Sequence, residues 1–418
     1  MSALPILDSP ERPAEESDAL AFGDLGLPAP LVAELARQGL HVAFPIQAAT
    51  VPDSLSGRDV LGQGRTGSGK TLAFALPLVA RLAATPTRRK PGHPRGLVLV
   101  PTRELATQVA AVIAPLAQAA GLRVATIFGG APYGAQRKAL EAGVEIIVAT
   151  PGRLIDHIDQ GTASLSAVEI TVIDEADHMA DQGFLPVVRR LMASTPAKGQ
   201  RLLFSATLEG GVQALVDAFL TDPVSHVAQA ESPALLEHRV IVVPEGQRAA
   251  TVARMARDER VVVFTRTKRR ATRMSRDLKA AGVMAVDLHG DLPHNRRQRH
   301  LDAFSDGSAT ALVATDIAAR GIHVDDVPLV VHADPPVEHK AYVHRSGRTA
   351  RAGAAGAVVT VTSLDQVAHV RGLLAKAGVS ATWEGLDVPA PELKASTGRP
   401  ARSGGGQQRR RRAPRRPR

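Results

Sequence analysis

The chain has no cysteine. That excludes disulfides and thiolate metal sites and suits a reducing compartment, so a cytoplasmic protein is expected. Aromatic residues are scarce, 3% of 418, with one tryptophan, so the cores must be aliphatic. No run is long and apolar enough to span a bilayer, and no membrane partner is expected. The acidic, proline-containing start lacks a basic segment followed by an apolar stretch, so no signal peptide is expected either. Acid is missing in one place. From Ala395 to Arg418 there are nine Arg and no Asp or Glu, and without them the formal net charge drops from +10 to +1. The basicity belongs to the tail, and the body is nearly neutral.

Hydrophobic residues make up 44% of the sequence, enough for a core in each of two or three domains of roughly 150 residues. Short apolar runs alternate with helical stretches poor in Gly and Pro. In the first half the runs are 96–100, 123–128, 145–149, 170–173 and 201–204. In the second they are 239–243, 260–264, 283–288, 310–314, 327–332 and 357–362. Repeated β–α units of this kind predict an α/β fold with two tandem domains, each a mainly parallel sheet with helices on both faces. The expected boundaries are a disordered N-terminus over 1–17, a first domain over 18–224 and a linker over 225–236. A second domain over 237–385 and a disordered Arg-rich tail over 386–418 follow.

Two stretches carry chemistry. Gly64-Arg65-Thr66-Gly67-Ser68-Gly69-Lys70-Thr71 matches the phosphate-loop pattern. Its glycines let successive backbone N–H groups turn toward one anion, and the helix that follows points its positive end there. Lys70 is expected on the β and γ phosphates and the Thr71 hydroxyl on Mg²⁺. Further on, the run Ile170–Ile173 ends in Asp174-Glu175-Ala176-Asp177. Open α/β sheets place their chemistry at the carboxyl ends of strands. Asp174 is expected to hold Mg²⁺ through water, and Glu175 to orient and deprotonate an attacking water. Histidines such as His93 and His157 are expected to be solvated, and Trp383 to pack at the end of the second domain.

The residues 174–177 read DEAD, and over about residues 20–375 the chain resembles the DEAD-box ATP-dependent RNA helicases of superfamily 2, compact bacterial members with a basic tail above all. The resemblance implies two RecA-like domains, ATP and Mg²⁺ as substrate and cofactor, and RNA, single-stranded and short duplex, as partner. Phe22 and Gln47 match the family's adenine-reading motif. A Gln amide can donate and accept at once, which suits the N6 and N7 edge of adenine, and Phe22 is expected to stack on the ring. Pro101-Thr102-Arg103, Gly129-Gly130 and Thr150-Pro151-Gly152-Arg153 resemble the RNA-backbone motifs of the first domain. Thr267, His289-Gly290, Arg297 and Thr315 resemble those of the second. Ser205 and Thr207 resemble the motif that couples nucleotide state to RNA, with Asp177 as their expected partner and His344 and Arg345 joining them. Arg348 and Arg351, in a row of three Arg spaced by three, are implied to reach the γ-phosphate when the domains close.

Five positions depart from the family. His323 stands where an Asp that contacts the ribose is usual, and His294 where a Gln is usual. Ser346 and Ala350 replace Ile and Gly. Ala43 replaces a Pro near Gln47. The function implied is ATP-dependent unwinding of short RNA duplexes and remodelling of RNA or RNA–protein complexes, by a monomer, with ribosome-assembly or RNA-decay factors as partners. An ATP-gated RNA clamp, an annealing chaperone and a DNA-directed ATPase stay open as alternatives.

Overall fold

The computed structural model describes residues 20–64, 67–85, 87–227, 236–257, 259–319, 327–350 and 355–385. The apolar runs become strands in two separate sheets. The first holds β1 (Val60–Gln63), β2 (Gly96–Leu99), β3 (Val124–Ile127), β4 (Ile146–Ala149), β5 (Ile170–Ile173), β6 (Gln200–Ser205) and β7 (Val224–Val227). The second holds β8 (Leu236–Val242), β9 (Val261–Thr265), β10 (Ala285–Leu288), β11 (Ala311–Thr315), β12 (Leu329–His332), β13 (Gly356–Thr362) and β14 (Thr382–Gly385). All of the strand pairs are parallel, as βα crossovers require.

The orders are β3-β4-β2-β5-β6-β1-β7 and β10-β11-β9-β12-β13-β8-β14. Shifted by seven strands they are the same order, so the chain builds one topology twice. Helices cover both faces of each sheet. Along β5, Val172 packs into one cluster with Val98 and Phe74, and Ile173 into the opposite one with Leu97 and Leu99. The second sheet repeats this, Val262 and Val330 on one face and Val261 and Val331 on the other. This two-sided burial is why the strands read as continuous aliphatic runs.

The strand order sorts the functional candidates. The carboxyl ends of β5, β6 and β1 lie side by side and bring together the acids, Ser205 and the phosphate loop. The other half, β3, β4 and β2, carries the expected RNA residues.

Two expectations are revised, and one strand that was not expected joins the second sheet. Residues 224–227 pair with β1, so the first sheet reaches into the stretch expected as linker. The exposures of β7 alternate as an edge strand's do, which leaves no solid apolar run to find. The strand β14 likewise adds to the edge of the second sheet at β8, bringing Trp383 with it, where Arg371 lies 5.3 Å from its ring. His157 is not solvated: it is fully buried, stacked 4.2 Å from Tyr133, and its Nδ1 lies 2.8 Å from Thr162 Oγ1. The expected disordered N-terminus, most of the linker and the Arg-rich tail lie outside the described residues.

Candidate active site

The phosphate loop leaves β1 and enters the helix Lys70–Ala84. Gly64 N–H donates to the Ser205 carbonyl at 3.1 Å, tying the loop's start to the end of β6. Gly69 has φ +87°, and a Cβ there would sit 2.6 Å from Gln47 Nε2 and 2.7 Å from the Phe44 ring. Both the backbone conformation and the space therefore demand glycine. Lys70 is buried, and its Nζ donates to the Gly64 carbonyl at 2.5 Å, across the mouth of the loop. Ser68 and Thr71 are partly exposed beside it. Arg65 and Thr66 lie outside the described residues.

Gln47 is 1% exposed. Its Oε1 accepts from Phe44 N–H at 2.9 Å and its Nε2 donates to the Gly69 carbonyl at 2.9 Å. It thus pins the start of the helix Pro45–Ser56 to the phosphate loop, with one amide N–H left over. Phe22, expected to stack on a base, is 2% exposed and part of the packed cluster around Leu25 and Leu31. The aromatic at the loop's mouth is Phe44, 46% exposed. An exposed Phe beside Gln47 was the signal that pattern-reading passed over.

The acids follow β5. Glu175 is held in left-handed backbone at φ +52°, a strained region for a residue with a side chain, and such strain clusters at functional sites. Asp174 Oδ1 accepts from Glu175 N–H at 2.9 Å. Burial pushes the Asp174 carboxyl up, to about 7; Lys70 opposes this, while Glu175 beside it adds to the rise. Burial acts the same way on Glu175. There, however, the His178 hydrogen bond and charge, then Arg348 and Lys70, outweigh it and hold the carboxyl down at about 2. His178 Nδ1 lies 3.2 Å from Glu175 Oε2. A buried acid pair with Lys70 as the near cation on its own lobe fits an added divalent ion.

Asp177 turns the other way. Its Oδ2 accepts from Thr207 N–H at 3.1 Å and from the Thr207 hydroxyl at 3.3 Å, and its own N–H donates to Ser205 Oγ at 3.2 Å. Ser205 Oγ donates to the Thr207 carbonyl at 2.6 Å. Three hydrogen bonds therefore tie the acid segment to the turn after β6.

The residues expected on RNA sit at the carboxyl ends of β2, β3, β4, β9, β10 and β11. Thr102 and Thr267 each cap a helix, their Oγ1 atoms accepting from Leu105 N–H and Arg270 N–H at 3.2 Å. Pro101, Pro151 and Thr315 are buried, Gly129, Thr150 and Arg153 partly so, and Gly130, Gly152, Thr267 and Gly290 are exposed. Arg153 donates to the Ala131 carbonyl at 3.1 Å. Beside Arg103, Glu104 is 3.4 Å away. His289 is buried, held to Asp287 Oδ2 at 3.1 Å.

Arg297 is placed differently from expectation. It is 4% exposed and its Nε meets Glu104 Oε1 of the first lobe at 2.7 Å, while Nη1 donates to the His289 carbonyl. Nothing in the motif around Glu104 announced a partner some two hundred residues away. Next to this pair His294 packs its ring 5.4 Å from Phe128 of the first lobe. A third contact, Lys340 to Glu209 at 2.7 Å, is solvent-exposed.

The arginine row is not one helical face. The helix His339–Ser346 stops at Gly347, and Ala350 has φ +54°. Arg345 turns inward to Asp316, at 2.5 and 2.8 Å, and to the Asp334 carbonyl, next to a partly buried His344. Arg348, buried, acts on Glu175 across the cleft. Arg351 and His323 lie outside the described residues.

Residues 44–215 match the DEAD/DEAH box helicase family and residues 247–353 match the helicase conserved C-terminal domain. The ATP-dependent RNA helicase RhlB of Xanthomonas campestris pv. campestris is 42% identical over 351 residues, which is 82% of this chain. The match covers 61% of that relative, so the chain spans about three fifths of its length. The ATP-dependent RNA helicase CshA of Listeria monocytogenes is 36% identical over 84% of this chain and 67% of its own. Among solved structures, Saccharomyces cerevisiae Dbp5 bound to RNA and ADP BeF3 superposes with a TM-score of 0.76 at 25% identity, covering 87% of this chain and 95% of its own. A DEAD box protein from Methanococcus jannaschii gives 0.51 at 30% identity over 87% and 99%.

Proposed function

Because the chain belongs to the DEAD-box helicase family, we propose that it is an RNA-stimulated ATP hydrolase that opens short RNA duplexes by closing two RecA-like lobes. The observation that carries the reading is the placement of Glu175. It lies at the end of β5, where the charges of Arg348 of the other lobe and Lys70 of its own lobe both favour its ionised form.

The steps follow from these residues. The loop N–H groups and Lys70 take the phosphates of ATP, and Gln47, already bonded to Gly69, meets the base with its remaining N–H. Asp174 and Thr71 are the residues that would hold Mg²⁺, which when bound supplies charge neutralisation on the phosphates. Glu175 is a poor proton store when held ionised, so its main work is to orient the attacking water. Arg348 adds a cation opposite Lys70 only when the lobes meet, and its planar guanidinium suits phosphate oxygens. RNA crosses the carboxyl ends of β2, β3, β4, β9, β10 and β11, with contacts to 2′-hydroxyls distinguishing it from DNA. Each ligand completes a site that spans both lobes, so each favours closure and thereby the other, with a coupling of about 1–3 kcal/mol.

The test is ATP hydrolysis and duplex separation with added RNA or DNA. Glu175→Gln should bind nucleotide and lower turnover about 100-fold or more. A variant with near-parental turnover removes Glu175 from this role. Stimulation by DNA equal to that by RNA would favour a DNA-directed ATPase, and annealing without ATP would favour a chaperone. A cytoplasmic, monomeric protein working with ribosome-assembly or RNA-decay factors completes the proposal; family resemblance alone supports those assignments.

A further inference from the structure

Glu175 leaves the strand in left-handed backbone, and that conformation sets only where its Cβ points. Three side-chain torsions remain free, yet orienting a water requires one carboxylate oxygen to be held still. The short helix Ala176–Asp181 supplies a brace. His178, three residues on, brings Nδ1 to 3.2 Å from Glu175 Oε2, with side-chain exposures of 5% and 12%. An ionised carboxylate only accepts, so Nδ1 carries the proton. The ring's other nitrogen, Nε2, faces the Gln182 amide nitrogen one turn further along. The Gln182 side-chain amide serves Nε2 through its NH2 or, rotated, through its oxygen, so the ring is held whichever protonation state it takes. The imidazole is thus gripped at both nitrogens, and Met179 beside it is fully buried. Among the described residues only Oε2 has a hydrogen-bond partner, and Oε1 has none.

We propose that His178, fixed by Gln182, is a positioning residue for Glu175 that holds one carboxylate oxygen so that the other is presented to the attacking water. This rests on the reading of Glu175 given above. His178 is buried, with its two ring nitrogens turned to Glu175 and Gln182. Its loss therefore acts on the rate of the chemical step and leaves nucleotide binding alone.

The test uses the full chain with saturating poly-U RNA, steady-state ATP hydrolysis, the affinity for a non-hydrolysable ATP analogue, and thermal unfolding. Three variants are compared: His178→Leu, which keeps bulk and removes the donor, His178→Asn, whose amide N–H lies near the place of Nδ1, and Gln182→Leu, which frees the ring. His178→Leu should lower kcat about 10- to 100-fold, the scale of a misplaced catalytic group, with KM and analogue affinity within about twofold. His178→Asn should recover most of the lost rate. Gln182→Leu should give the same split at smaller amplitude, and it carries the test if His178→Leu fails to fold. Parental kcat in both Leu variants overturns the proposal. So does an equal loss in the Leu and Asn variants of His178, or a loss that appears in KM and analogue binding. A parent chain that hydrolyses no ATP would instead remove the underlying reading. An active parent with an inactive Glu175→Gln and an unaffected His178→Leu would remove this inference alone.

Discussion

The sharpest consequence of the geometry concerns Glu104→Gln. In the parent, Glu104 and Arg297 face each other across the lobes at 2.7 Å, with side-chain exposures of 4% and 5%. The substitution leaves Arg297 with the His289 carbonyl and no carboxylate from the other lobe. Deleting one partner of a buried ion pair costs about 3–5 kcal/mol when the surviving charge has to stay buried. This charge does not have to stay buried, because separating the lobes hydrates it. The penalty therefore falls on closure rather than on folding, and hydration caps it at about the coupling scale of 1–3 kcal/mol. That is roughly a 5- to 150-fold fall in the closed population. Two dyes, one on each lobe, read closure by energy transfer in the presence of an ATP analogue and RNA. The variant should need correspondingly more RNA to close, while RNA affinity without nucleotide and thermal unfolding of the lobes stay near parental. Adding Arg297→Leu should restore part of the closure, since a seam without the charge is better than one with it unpaired. An unchanged closed fraction in Glu104→Gln, or a double variant worse than the single, would refute this account. The exposed Lys340–Glu209 contact makes the contrast: its removal should matter little, and less still at high salt.

Three further outcomes are expected. Ala350 holds left-handed backbone at φ +54°, which costs an L-residue about 1–2 kcal/mol, and Gly adds unfolded-chain freedom worth about 0.4–1 kcal/mol. Ala350→Gly should therefore stabilise by about 0.5–1 kcal/mol in a denaturant titration, and destabilisation would show that the conformation is not strained. His332 is fully buried between Phe264 and Tyr342, and burial keeps its imidazole well below the ordinary 6.5. The unfolded chain takes up a proton that the folded chain refuses. The stability linked to His332 is thus complete above 6.5 and lost as pH falls below it. His332→Phe should lose less stability than the parent between about pH 7.5 and about pH 5.5, and equal losses would exclude the effect. Ending the chain after Lys394 removes nine Arg. RNA affinity should fall and its dependence on salt should flatten, because fewer counterions are released; an unchanged salt slope would remove the tail as an anchor.

Much of the candidate site was legible because its residues are bound to local conformation. The phosphate loop needs Gly at Gly69 whatever surrounds it. The acids need only the end of an aliphatic strand to be placed. The helix caps at Thr102 and Thr267 are equally local, although their hydroxyls serve the backbone as much as any ligand. The misses have a common character. Short edge strands such as β7 and β14 bury one face at most, so their pattern is weak. His157 reads as an ordinary polar residue until Tyr133 closes over it. Phe22 reads as an available ring until a core forms around it. Arg297 reads as a free cation until a carboxylate from the other lobe reaches it.

By itself the sequence determined the two α/β halves, the phosphate loop and the acids after β5, because backbone freedom at glycine and aliphatic periodicity act within a few residues. Only the tertiary structure decided that both halves share one strand order, that Arg345 turns inward to Asp316, and that Glu104 seals the seam with Arg297. Those outcomes depend on which strand ends lie side by side and which buried charges find partners. Spacing along the chain does not encode either, because packing brings together groups that the chain keeps far apart.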